Sequence, residues 1–272
     1  MPAEVRRRLL NDALPRQTNR IGRDGRIIRE SFIDNETIGL IPVLADLCSR
    51  SRTSGTAYFC HPSVRHVHKI HCEGNFCGYW NIQMMTSFLV DNAGKNSLLP
   101  NVIHIQDTIE QAWDNGICSY SRIETGGIRG TRKWIGTHDA LAYFTQTGVS
   151  MQALAFKDED EEQPAILSLL DHLEAYFLSG AEDAETRGSS QITQLPPAYF
   201  QRAGHSMTIV GLERKKDGHR NLIIFDPSFG TTRSMDQVLD GRRTNAEPHT
   251  LLKPYRRSDE SLSRWSEFEI LV

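Results

Sequence analysis

Apolar positions recur at intervals of three and four in several stretches of the chain, the spacing of one helix face. Ile38, Ile41, Leu44 and Leu47 predict a helix within residues 31–51, with Pro42 imposing a kink or a late start. A second apolar-periodic run covers residues 77–90, and a third carries Val102, Ile105, Ile109 and Trp113, closed by Asp114-Asn115-Gly116 as a C-cap. Thr137 reads as the N-cap of a helix through Phe144 that Gly148 ends. Pro164 opens another at N1, with Ile166, Leu169, Leu170, Leu173 and Phe177 along one side. Alternation marks the strands. Val64, His66, His68 and Ile70 alternate with Arg65, Val67, Lys69 and His71, and residues 149–156 fit a buried strand. Residues 204–212 and 221–227 read as two strands, with Lys215-Lys216-Asp217-Gly218 as turn chemistry between them. Residues 92–100, 116–130 and 179–194 read as loops, and the acidic run at 157–163 as a solvated turn.

Composition changes this picture little. Of 272 residues, 39% are hydrophobic and 24% charged, which suits a soluble globular chain. No apolar run approaches the ~18 residues of a membrane span, and a net charge of −3 supplies no general attraction to nucleic acid. Residues 1–30 are rich in arginine and polar residues and read as a mobile arm with one short helix at 3–10. The charged start lacks the apolar run of a secretory signal, and five cysteines form no CxxC pair. Both point to reduced thiols in the cytoplasm or nucleus.

Three residues stand out chemically. Cys77 follows a small polar run, Glu73-Gly74-Asn75-Phe76, and enters a helix in its first turn. Unpaired backbone N–H groups and the helix dipole favour the thiolate there. Gly78 reads as room for a substrate backbone near the sulfur. A buried core cysteine is the competing reading. Downstream, His205 and Asp226 lie on the two strands of the expected hairpin. Antiparallel partners share a constant index sum. A loop over 214–217 places His205 opposite Asp226, a loop over 215–218 makes them diagonal neighbours, and a tight 217–218 turn separates them. Cysteine, then histidine ~130 residues on, then a carboxylate is the order of papain-like sites. In that reading Cys77 attacks a carbonyl, His205 moves the proton and Asp226 orients the ring. The Cys77 N–H and the Gln201 amide are candidate oxyanion donors. The cluster Cys60, His61, His66, His68, His71 and Cys72 raises the question of zinc, but alternation along a strand sends neighbours to opposite faces and scatters such ligands.

Several pieces together resemble a known family. They are Asn75-Phe76-Cys77-Gly78-Tyr79-Trp80-Asn81-Ile82-Gln83-Met84, Ile109-Glu110-Gln111-Ala112-Trp113, Gly130-Thr131-Arg132-Lys133-Trp134-Ile135-Gly136-Thr137, Gln201-Arg202-Ala203-Gly204-His205-Ser206 and Leu222-Ile223-Ile224-Phe225-Asp226-Pro227. The chain is similar to the papain-fold peptidases related to the Ufm-specific proteases, above all to their zinc-finger-bearing, ubiquitin-directed branch. The resemblance covers about residues 58–240. It implies a papain-like α+β fold with the cysteine helix packed on a central antiparallel sheet. It also implies Cys77, His205 and Asp226 as the triad and Gln201 as oxyanion donor. Ufm-directed members carry Asp-Pro-His, whereas this chain has Asp226-Pro227-Ser228 and keeps its histidine on the preceding strand. Substrate contacts are then expected at Trp134, Gly204 and Asp139, the last facing an arginine of the ubiquitin tail. The expectation is a monomeric, metal-free and cofactor-free cysteine isopeptidase acting on ubiquitin or polyubiquitin conjugates, with no nucleic-acid or membrane partner. Residues 55–272 would form the peptidase domain and residues 1–54 an arm and helical segment offering an accessory ubiquitin contact. A Ufm-directed protease is the alternative of the same chemistry, and an inactive ubiquitin-binding module the alternative of another class.

Overall fold

The computed structural model describes residues 1–21, 25–70, 75–92, 98–158 and 164–272. The first elements are α1 (Ala3–Asn11), β1 (Arg16–Ile21), β2 (Ile27–Phe32), β3 (Glu36–Thr37), α2 (Leu40–Arg50), β4 (Ser54–Phe59) and β5 (His66–Val67). Next come α3 (Cys77–Asn92), α4 (Val102–Asp114), α5 (Tyr120–Thr125), α6 (Thr137–Gln146), β6 (Ala153–Lys157) and α7 (Ala165–Ser179). Strands β7 (Glu185–Arg187), β8 (Ser190–Ile192), β9 (Ala198–Arg202), β10 (His205–Lys215) and β11 (Arg220–Phe225) follow. The chain ends with α8 (Arg233–Leu239), α9 (Pro248–Leu252), β12 (Arg256–Ser258), α10 (Asp259–Leu262) and β13 (Glu267–Leu271).

Among the described residues the central sheet has nine strands, in the order β6-β13-β9-β10-β4-β8-β7, with β11 and β12 continuing from β10. The fold is α+β and papain-like, but the sheet is mixed rather than purely antiparallel, because β4 and β8 run parallel. Strand β8, with β7 beside it, comes from residues 179–194, expected to be loop. The strands β7 and β8 are three residues each and too short to carry an alternating signal. Strand β6 also departs from expectation. It starts at Ala153 and lies at the sheet edge, half-exposed rather than buried.

The helices follow their periodicity closely. Helix α2 starts late, so that Pro42 falls in the first turn, where its missing N–H costs nothing. Leu40, Ile41, Leu44, Ala45, Leu47 and Cys48 of α2 are buried in the same core as the sheet, as is Leu9 of α1. Helix α3 is buried on nearly every side, with Tyr79, Trp80, Ile82, Met84 and Met85 in the core, as is Phe76 just before it. A helix wrapped in this way is held by its surroundings rather than by one apolar stripe. Its polar residues are tied down: Asn81 accepts from Thr208 Oγ1 on β10 at 2.8 Å, and Gln83 donates to the Pro100 carbonyl at 2.8 Å. Among the described residues no helix is long and apolar enough to cross a membrane.

Candidate active site

Cys77 is the first residue of α3, which packs along β10. The glycine after it is needed for packing. A Cβ on Gly78 would lie 2.6 Å from Ile135 Cγ1 and 2.9 Å from the Ile135 carbonyl. Ile135 thus fills the space expected for a substrate backbone. The segment carrying Ile135 is itself anchored. Tyr79 Oη donates to the Lys133 carbonyl at 3.2 Å, and Gln106 on α4 bonds both Gly130 N and the Thr131 carbonyl. Glu110, one turn on, accepts from Ile128 N at 2.6 Å and from Arg129 N at 3.1 Å. Two buried polar residues of α4 thereby shape the 126–131 turn and set Trp134 and Ile135 against the head of α3.

His205 opens β10 just after a tight turn with Gly204 at φ +75, a left-handed position that favours glycine. On the other edge of β10, Thr208 pairs with Phe225 and Ile209 with Ile224, while Gly211 pairs with Ile223. The index sum is therefore 433 near the site and 434 near the turn, with a bulge at Val210 between them. The turn by itself follows none of the three loops weighed from the sequence. A sum of 434 carried through would set Asp226 opposite Thr208, on the face away from His205. The bulge moves it opposite Met207 and makes it a diagonal neighbour of His205 on one face.

His205 Nε2 meets Asp226 Oδ1 at 2.8 Å. This engages one ring nitrogen and leaves Nδ1 for the thiol, which lies within electrostatic reach of His205. The sulfur receives the Ser206 hydroxyl at 3.2 Å and the Ser206 backbone N–H. Burial pushes the Cys77 thiol up, but the ring and these bonds outweigh it and hold the thiol below its ordinary value. Burial likewise pulls His205 down, yet Asp226 and Cys77 raise it to about 9. Asp226 is pushed up by burial and held well below the carboxylate range by His205 and Ser228. The arrangement can transfer the thiol proton to the ring and keep a thiolate–imidazolium pair at neutral pH.

Gln201 lies on β9 directly opposite Ser206. Its Nε2 donates to the Arg202 carbonyl at 2.9 Å, which leaves the second N–H of the amide for another acceptor. Trp134 is 62% exposed and precedes Ile135, which packs on Gly78. Asp139 is only 6% exposed and accepts from Gly136 N at 2.9 Å, capping α6 at N3. Gly136, not Thr137, is the N-cap of that helix. The strand expected over residues 64–71 is reduced to the two-residue β5, and His66 is buried completely. It stacks on Phe225 at 4.9 Å and bonds the Asp226 carbonyl at 3.1 Å. His71 and Cys72 lie outside the described residues, as does most of the 157–163 run. Among the described residues no group of three His, Cys, Asp or Glu side chains converges on a metal-sized site.

Sequence reasoning assigned no role to Ser206, Ser228 or Arg257. Ser206 adjoins His205 on β10, and its hydroxyl reaches the Cys77 sulfur. Ser228 was noted only as a replacement for histidine, yet its N–H and hydroxyl both reach Asp226 Oδ1. Arg257 bonds Asp226 Oδ2 at 2.9 Å from 31 residues away, and no local pattern announces it.

The model of peptidase family C78 matches residues 53–271. The human zinc finger-containing ubiquitin peptidase 1 is 29% identical over 246 residues, covering 87% of this chain and 41% of the relative. The fission yeast ubiquitin carboxyl-terminal hydrolase mug105 is 27% identical over 158 residues, covering 56% of this chain and 59% of that protein. This chain thus spans well under two thirds of the relatives it matches. A crystal structure of UfSP from C. elegans superposes with a TM-score of 0.50 at 13% identity, over 81% of this chain and 34% of that one. The matched span takes in Cys77, His205 and Asp226 together, and the chain belongs to peptidase family C78, a family of cysteine peptidases.

Proposed function

We propose that the chain is a thiol-dependent deubiquitinase that cleaves the isopeptide bond at the ubiquitin C-terminus. The observation that carries this reading is the Cys77 sulfur seated against β10 beside His205, bonded by the adjacent Ser206 at 3.2 Å, with Asp226 2.8 Å behind the ring. In this mechanism Cys77 Sγ attacks the carbonyl carbon and its proton passes to His205. The oxyanion forms between the Cys77 N–H and the free N–H of Gln201. As the C–N bond breaks, His205 returns the proton to the lysine amine, leaving a thioester. Water, deprotonated by the same ring, hydrolyses the thioester and restores the thiol. Trp134, Asp139 and Gly204 are assigned to the substrate side, with residues 55–272 as the catalytic domain in the cytoplasm or nucleus.

Ubiquitin is favoured over Ufm because the base comes from β10 and Ser228 stands where Ufm-directed members carry histidine. The names of two relatives refer to ubiquitin as well. Electrophilic ubiquitin and Ufm tail probes test the assignment. The ubiquitin probe is expected to label wild type and not Cys77→Ala. Labelling by the Ufm probe alone, or at another cysteine, overturns it. Asp226→Asn is expected to lower turnover by roughly three orders of magnitude while ubiquitin affinity changes little.

A further inference from the structure

Asp226 is held by more donors than are needed to orient one imidazole. His205 Nε2, Ser228 N and Ser228 Oγ all meet Oδ1, at 2.8, 2.9 and 2.6 Å. Oδ2 bonds Arg257 Nη2 at 2.9 Å. Arg257 lies on β12, which pairs with β11, and its Nη1 is pinned to the carbonyls of Pro254 at 2.9 Å and Arg256 at 3.0 Å. The guanidinium therefore has a fixed place and a fixed charge, one carboxylate away from the ring.

We propose that Arg257 is a positioning residue for the cysteine–histidine pair. It occupies Oδ2 so that the carboxylate presents only Oδ1 to His205, and it shares the negative charge that would otherwise serve the imidazolium alone. A carboxylate divided between two cations stabilises each less than it would a single one. The imidazolium is thus stable enough to form yet free to return its proton to a leaving amine. The other groups around the pair leave room for this effect. Cys77 faces the ring from α3, and Arg202 on β9 lies within electrostatic reach of Asp226, repelled by Arg264 and Arg257. His66 on β5 bonds the backbone carbonyl of Asp226 rather than its carboxylate, and burial lowers it to about 4, so it stays neutral.

The catalytic consequence rests on the proposed peptidase reading, while the electrostatic one belongs to the resting site. Two profiles against pH separate them: alkylation of Cys77 by iodoacetamide, and kcat/KM on a ubiquitin C-terminal fluorogenic amide. Losing a nearby positive charge favours the imidazolium, so Arg257→Met is expected to move the basic limb of both profiles upward by roughly half to one pH unit. Its kcat is expected to fall about tenfold with KM nearly unchanged. Arg257→Lys keeps the charge and is expected to leave the limb in place with a smaller loss of kcat. Where Arg257→Met is too unstable to purify, Arg257→Gln removes the same charge in a polar side chain. An alkylation profile of the neutral variant superimposable on wild type overturns the proposal, as does a lysine variant shifted as far as the neutral one. A shifted alkylation profile in an enzyme that cleaves no ubiquitin derivative upholds the positioning role and sinks the proposed function.

Discussion

The cysteines of the chain show what makes one thiol acidic. Burial raises Cys48 to about 12 and pushes Cys60 and Cys118 upward as well. Cys77 suffers the same penalty and still ends below its ordinary value, because the His205 ring lies within electrostatic reach of its sulfur and Ser206 donates to it. A hydrogen bond to an ionised group contributes roughly 1.5–3 kcal/mol. Ser206→Ala removes the hydroxyl and keeps the backbone N–H, so the thiol pKa is expected to rise by about one unit. The acidic limb of the iodoacetamide profile then moves up while the basic limb near 9, set by His205, stays in place. Ser206→Thr is expected to restore most of the shift, and an unmoved acidic limb in Ser206→Ala refutes the role. Cys77, His205 and Asp226 could be read from residue type and order because each job demands its own chemistry. Ser206, Ser228 and Arg257 could not, since serine and arginine are common and their task here is defined by what the fold puts beside them.

At the scale of elements, one bulge carries much of the site. The hairpin turn sets an index sum that points Asp226 away from His205, and the extra residue at Val210 corrects it. Gly211, next in line, permits the close approach of β4: a Cβ there would collide with the Tyr58 carbonyl oxygen and crowd the Phe59 ring. Gly211→Ala is expected to cost about 1–3 kcal/mol from this overpacking. If the strands relieve it by re-registering, turnover falls far more than the melting temperature does. Parallel measurement of thermal unfolding and turnover separates that outcome from simple destabilisation, in which the two fall together. The hairpin itself was legible from two apolar runs around a glycine turn, but a bulge has no such signature because it answers to the neighbouring strand. Helices α4 and α7 were legible for the opposite reason: their periodicity is local and long. The three-residue β7 and β8 exist only because the sheet edge accepts them.

For the molecule as a whole, the N-terminal helix is joined to the helix that carries the nucleophile. Leu9 is buried in the common core, the Leu10 carbonyl accepts from Asn101 Nδ2 at 3.4 Å, and Asp12 Oδ2 accepts from Gln83 Nε2 on α3 at 3.4 Å. The arm expected at residues 1–30 is thus anchored at its helix, a contact that its arginine-rich composition conceals. The anchor has an electrostatic cost. Asp12 is 7% exposed, and burial, reinforced by Glu36, raises it to about 7 despite the Gln83 bond. Between the ordinary carboxylate range and pH 7 the folded state holds a proton on Asp12 that the unfolded state has released. Unfolding stability therefore falls as pH rises through that window and levels off above it. Asp12→Asn keeps the shape and removes the charge. It is expected to leave the melting temperature near pH 4 almost unchanged and to raise it at pH 8, where the wild type buries an ionised carboxylate. Thermal unfolding of both proteins from pH 4 to 8 checks this. A variant that loses stability equally at both ends would show that the carboxylate supports the helix rather than straining it.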